Sequence, residues 1–172
     1  MRDALGNEFM YTIYHQKIRG RGSGAPEKTI GADGIFQLEL YDRNGKLLRR
    51  KGLLFQSKKE WEGKDGKLGG QAENLLVDGD RDKAVVIDFG PSGYTTCSVA
   101  TAAKAQGNRK QIANNQFSNL SATLGDEFLR CRVGVQDMYY DGDEEILFDP
   151  TVDQQFNLAD KHVVGTRIQR LT

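Results

Sequence analysis

The stretch from Ile35 to Tyr41, followed by Asn44-Gly45 and then by Gly52-Leu53-Leu54-Phe55-Gln56, constrains this chain more than any other. Phe36, Leu38 and Leu40 alternate with Ile35, Gln37, Glu39 and Tyr41. That period of two belongs to a strand whose successive side chains leave opposite faces. Asn44-Gly45 supplies the tight turn and Gly52 to Gln56 the return strand, so a β-hairpin is predicted. Folding about Asn44-Gly45 makes paired positions sum to about 89 to 91, which sets Asp33 level with Gln56 to Lys58.

Around the hairpin the pattern changes period. Leu5, Phe9 and Ile13 recur every four residues, which predicts an amphipathic helix over 3–18. Residues 19–26, RGRGSGAP, stop it and read as a loop. Leu68, Ala72 and Leu75 predict a helix over 66–77, and Ala84 to Phe89 reads as a strand closed by Gly90-Pro91-Ser92-Gly93. Tyr94 to Val99 alternates again and pairs with it in this reading. Beyond a polar stretch at 104–119, a helix is expected over Leu120 to Leu129, an extended run from Cys131 to Val135, an acidic turn from Asp141 to Glu145 and a strand from His162 to Ile168. The order favours an α/β fold, a central mixed sheet flanked by helices, in one domain spanning 1–172.

Composition narrows the function classes. The 172 residues are 28% charged and 38% hydrophobic, with no apolar run of membrane-spanning length. MRDALGNEF has an acid at position 3 and no basic-then-apolar leader pattern, so the expected location is the cytoplasm. Cys97 and Cys131 have no CxxC partners, so two reduced, packed thiols are expected. His15 and His162 lack neighbouring ligands, which argues against zinc. The net charge of zero hides a gradient: residues 1–110 hold 19 Lys/Arg against 14 Asp/Glu, and residues 111–172 hold 5 against 10. A basic half of this kind attracts polyanions, although mixed charges also simply solvate a surface.

The hairpin end carries the chemistry. Gln56 and Lys58, two apart on a strand, face one way, while Ser57 and Lys59 face the other. Asp33, Gln56 and Lys58 then meet at one end. Mg²⁺ takes hard oxygen ligands and keeps several waters; Asp33 supplies an anionic oxygen, Gln56 a neutral one and the Ser57 carbonyl a third. Lys58 is placed to orient an attacking water or to stabilise negative charge. Glu8, bordering the packed face of the first predicted helix, is the better candidate for a further acid; Glu27 sits in the glycine-rich loop. Gln71 adds a polar contact, and Lys59, Arg19 and Arg21 are candidate contacts to a nucleic-acid backbone. Trp61 is expected to pack at the hairpin's edge, with base stacking the lesser option. Taken singly, these residues also suit a solvated strand end and a turn after glycine. Their order is what adds weight.

That order, Thr29-Ile30-Gly31-Ala32-Asp33 leading into a hairpin that ends Leu54-Phe55-Gln56-Ser57-Lys58-Lys59, with Glu8 as the first-helix acid, resembles the PD-(D/E)xK nuclease superfamily, in a Q-x-K variant. The likeness covers about residues 1–100 and is greatest to the small nuclease domains of bacterial anti-phage defence systems. It implies a restriction-endonuclease-like αβββαβ core and a Mg²⁺-dependent (or Mn²⁺-dependent) endonuclease, acting on DNA in preference to RNA. Two departures stand out: no proline precedes Asp33, and Gln56 replaces an acid. Some members with eroded motifs bind nucleic acid without cutting it, so a catalytically weak nucleic-acid-binding subunit is the alternative, with a protein-interaction subunit of the same fold beside it. Residues 101–172 read as an extension of the same domain. Their acidic balance would suit a partner subunit, an autoinhibitory mask over a basic cleft, or no specific surface; a protein partner or a homo-oligomer is the accompanying expectation.

Overall fold

The computed structural model describes residues 9–18, 31–76, 83–91, 93–141, 146–150, 154–157 and 168–169. In chain order the elements are β1 (Phe9–Lys17), β2 (Gly34–Asp42), β3 (Leu47–Lys59), α1 (Gly66–Leu75), β4 (Ala84–Gly90), β5 (Gly93–Ser98), α2 (Val99–Lys104) and β6 (Ser118–Asn119). An α-turn at Leu120–Ala122 runs into a π-helix at Thr123–Phe128, and β7 (Val135–Gln136), β8 (Tyr139–Asp141), β9 (Ile146–Asp149), β10 (Gln154–Asn157) and β11 (Ile168–Gln169) follow.

The predicted hairpin forms with the predicted register. From Gly34 opposite Phe55 to Leu40 opposite Arg49, paired positions sum to 89. A register shift beyond Leu40 accommodates the turn, where Gly45 adopts φ +78° and its N–H bonds to the Asp42 carbonyl at 3.0 Å. That φ favours glycine. Asp42 Oδ1 fixes the loop further by accepting from the N–H groups of Asn44 and Lys46.

The helix expected over 3–18 is instead a strand where it is described, β1 pairing antiparallel with β2 at nine positions from Phe9–Asp42 to Lys17–Gly34. The reason lies in the arithmetic. A spacing of four keeps residues on one side of a helix and equally on one side of a strand, because four is a multiple of two. The aromatic and β-branched content of Phe9-Met10-Tyr11-Thr12-Ile13-Tyr14 suits the pleated alternative.

The main sheet runs β11-β1-β2-β3-β4-β5-β6, with β7 added along β3. Every pairing in it is antiparallel except β3 with β4. A parallel pair needs a crossover, and α1 lies within it. Helices cover both faces of the centre. On one, Ile35, Leu54, Ala84 and Val86 pack with Leu68, Ala72 and Leu75 of α1 and with Val99 and Ala102 of α2. On the other, Phe36, Leu53, Phe55, Val85 and Ile87 pack on Phe128, with Leu120 and Leu124 alongside. Residues 51–56 of β3 are consequently buried without a break, as expected of a strand covered on both sides. The fold is mixed α/β with a mostly antiparallel sheet.

Other expectations fare unevenly. The helix predicted over 66–77 is found at Gly66–Leu75, the strands predicted over 84–89 and 94–99 at Ala84–Gly90 and Gly93–Ser98 with Val99 opening α2, and β4 and β5 pair as expected. The extended run from Cys131 is found only at Val135–Gln136; Cys131 itself has φ +59°. Cys97 is buried, but Cys131 is exposed rather than packed. Of the predicted acidic turn only Asp141 is described, at the end of β8; residues 142–145 lie outside the described residues, as do 162–167 of the last predicted strand. Phe128 is fully buried beneath the second face. Phe128→Ala should therefore cost about 3–5 kcal/mol, measured as a lowered urea midpoint at unchanged denaturant slope.

Candidate functional site

Gly31-Ala32-Asp33 reaches β2 through close packing. Gly31 has φ +78°, and a Cβ on it would stand 2.6 Å from the backbone oxygen of Gln71 in α1. Ala32 is fully buried. Asp33 is then held from both sides: its N–H bonds to the Phe55 carbonyl at 2.8 Å, and its carbonyl accepts from the Ile18 N–H at 2.6 Å.

Its side chain lies where the register predicts. Asp33 Oδ2 accepts from Gln56 Nε2 at 2.9 Å, from the Ser57 N–H at 2.8 Å and from Ser57 Oγ at 2.6 Å. All three donors reach the same oxygen. Among the described residues none reaches Oδ1. Gln56 is 3% exposed, and its Oε1 is buried without a hydrogen-bond partner.

Two features differ from expectation at this point. Gln56 turns its amide N–H, not its oxygen, toward Asp33, so the amide donates to the carboxylate where two oxygens would repel. Ser57, expected to face away from Asp33, reaches it instead with both its N–H and its hydroxyl.

Lys58 follows on the face of Gln56. Its Nζ lies 2.9 Å from Asp65 Oδ2. Asp65 is also the N-cap of α1, its Oδ1 accepting from the N–H groups of Lys67 and Leu68, both at 2.9 Å. One carboxylate thus fixes the helix start and the lysine head. Burial pushes the Asp65 pKa up, but the hydrogen bond and charge of Lys58 and the two backbone N–H groups outweigh it, holding the carboxyl below its ordinary value. Beside Lys58 in the parallel ladder stands Asp88. Asp88 Oδ1 accepts from the Trp61 N–H at 2.9 Å, and Oδ2 lies 4.0 Å from Arg109 Nε. Arg109 stacks on Phe117, with Cζ 3.9 Å from the ring centroid.

The structure therefore brings Asp33, Gln56, Ser57 and Lys58 to one end of the sheet, and Gln71 packs against the same loop with a buried Oε1 that has no partner. Lys59 is exposed at the end of β3. Glu8, Glu27, Arg19 and Arg21 lie outside the described residues. Trp61 is buried at the hairpin's edge, with Nε1 donating to the Gly107 carbonyl at 3.1 Å, and is not a free stacking platform. Asp65 and Asp88 were not anticipated. Asp65 had a signal, an acid immediately before a predicted helix; Asp88 had none, lying inside an apolar run.

The fit to a divalent ion can be stated from the donors. Among the described residues no group of three or more His, Cys, Asp or Glu side chains is arranged to hold a metal. Mg²⁺ asks for less: one or two protein oxygens with waters and substrate completing the octahedron. Asp33 and the orphaned Gln56 Oε1 meet that requirement once the amide rotates. Among the described residues no helix is long and apolar enough to cross a membrane. No family model, curated protein or solved structure matches the chain.

The Asp65 carboxyl makes a pH prediction. Its lowered folded pKa means that it adds stability which is present above the ordinary carboxylate value of about 4 and is lost as the pH falls through the folded value. Asp65→Asn keeps a capping side chain but removes the charge facing Lys58. Urea unfolding across a pH series should find the variant less stable than wild type at pH 7, with the gap closing in acid. A gap unchanged down to strong acid would contradict the ion pair.

Proposed function

We propose that this chain is a metal-dependent nuclease, a phosphodiester hydrolase with Asp33, Gln56 and Lys58 at its centre. The observation that carries the reading is the direct Asp33–Gln56 contact at 2.9 Å between the start of β2 and β3, with Lys58 on the same face of β3 two residues on. Element order supports it too. β1-β2-β3-α1-β4, with β3 and β4 parallel, agrees with the βββαβ part of the restriction-endonuclease-like core implied by the PD-(D/E)xK resemblance. Glu8 lies outside the described residues, and Phe9–Lys17, expected in the first helix of that core, form β1 instead, so the reading rests on the remaining elements.

In this reading Asp33 and Gln56 Oε1 hold Mg²⁺ or Mn²⁺, with Ser57 keeping the Asp33 carboxylate oriented. When bound, the ion supplies charge neutralisation at the phosphate and a water of lowered pKa. Lys58 stabilises negative charge developing on the phosphate oxygens, positioned by Asp65. Gln71 and Lys59 contact substrate. The positive balance of residues 1–110 draws in the nucleic-acid backbone. DNA over RNA, a role in anti-phage defence, a cytoplasmic location and a protein partner or second copy on the acidic part follow from the resemblance and the charge pattern, and belong to the same proposal.

One observation favours a second reading, a nucleic-acid-binding subunit that does not cut. Gln56 is an amide where an acid would give the cation a second anionic ligand, which weakens the hold on the ion.

The two readings separate in one assay. Supercoiled plasmid and single-stranded RNA are incubated with wild type, Asp33→Ala and Lys58→Ala, with Mg²⁺, with Mn²⁺ and with chelator. The nuclease reading expects divalent-dependent cutting that falls about 100-fold or more in each variant. Equal cutting by both variants, or cutting in chelator, would overturn the site. Salt-sensitive binding without cutting would select the second reading.

A further inference from the structure

A cavity of about 350 Å³ opens on the other face of the sheet from Asp33. Leu38 pairs with Lys51 and Leu40 with Arg49, and by alternation these four share the face of Phe36 and Leu53, whereas Gln56 and Lys58 share that of Leu54. The cavity is walled by Tyr11, Leu38, Leu40 and Leu129, and by Lys51 and Arg49, with Cys131 also on its lining. No acidic residue lines it. Its size falls in the range of small-molecule sites.

The Lys51 side chain is the feature that asks for a ligand. The residue is only 6% exposed, yet no carboxylate among the described residues stands within salt-bridge distance of its ammonium. Its partners include no carboxylate: they are the Cys131 side chain, through a hydrogen bond, the Val133 carbonyl at 3.4 Å, and the Phe128 ring with its centroid at 4.3 Å. Burial pushes its pKa below the ordinary lysine value, against an upward pull from the Cys131 side chain. A buried cation without a carboxylate partner is costly, and here the space beside it is lined largely by hydrocarbon and by two further cations, Arg49 and Arg50.

We propose that this cavity binds a small anion with an apolar body, its carboxylate or phosphate on the Lys51 ammonium with Arg49 at the rim, and its hydrocarbon against Leu38, Leu40 and Leu129. The site is independent of the nuclease reading, since it shares no residue with it and lies across the sheet. It would make the chain a small-molecule binder whatever its other face does.

Cys131 provides a local reporter, being an exposed thiol on the lining, with buried Cys97 as the internal control. The rate of Cys131 alkylation by iodoacetamide is followed by mass spectrometry on the full chain, during titration with hexanoate, hexyl phosphate or hexanol. Hexanoate or hexyl phosphate should protect Cys131 saturably, the better of the two naming the headgroup, while hexanol should need about tenfold more for equal protection. Lys51→Met should erase the preference for anion over alcohol. Arg49→Glu, an exposed position that keeps the fold testable if Lys51→Met does not fold, should weaken protection by the anions and spare hexanol. Equal protection by hexanol and hexanoate, no protection by any of the three, or an unchanged anion preference in either variant would overturn the proposal.

Discussion

The register of the β2–β3 hairpin is the constraint on which the rest of the structure depends. With Gly34 opposite Phe55, the next rung sets Asp33 beside Gln56, and the Asp33 carboxylate can gather three donors from two consecutive residues of β3. A slip of one residue would exchange the two faces of β3. It would turn Leu54 toward Phe128, Leu53 toward α1, and Gln56 away from Asp33. The apolar packing on both sides of β3 therefore enforces the polar geometry at its end. Core and site are specified by one pairing.

That pairing is joined to the helical layer by two contacts of different kinds. Gly31 lets the loop before Asp33 lie against the backbone of Gln71, where a side chain would collide. Asp65 caps α1 with one oxygen and holds Lys58 with the other. A displacement of α1 would thus be felt at both Asp33 and Lys58, which are otherwise separated by 25 positions of chain. The parallel pairing of β3 with β4 adds Asp88 beside Lys58, and Asp88 in turn fixes the Trp61 backbone and faces Arg109. The charged end of the sheet is a network in which each group has a stated neighbour.

Much of this was legible in the sequence, for reasons particular to each segment. The hairpin could be read because alternation and Asn44-Gly45 agree, and the turn set its register to within a residue or two, the packing on both faces fixing it at one value. Leu68, Ala72 and Leu75 revealed α1 despite its glycines, since burial of one side outweighs their cost. β1 was misread because its spacing of four suits either period, and only the pairing with β2 decides between them. That β3 and β4 run parallel could not be read locally, so Asp88 went unnoticed within an apolar run. Asp65 was a missed opportunity, an acid in the N-cap position of a helix already foreseen. The contact of the Ser57 hydroxyl with Asp33 was beyond the sequence, because simple alternation along the strand puts Ser57 on the opposite face.

The central claim is that Asp33 and Gln56 can share a divalent ion, and anomalous diffraction from crystals soaked in Mn²⁺ tests it most directly. The account predicts a peak at about 2 Å from an Asp33 carboxylate oxygen and from Gln56 Oε1, with the Gln56 amide rotated so that the 2.9 Å bond from Nε2 to Oδ2 is gone. Soaked crystals in which that hydrogen bond persists and no peak lies at Asp33 would contradict it.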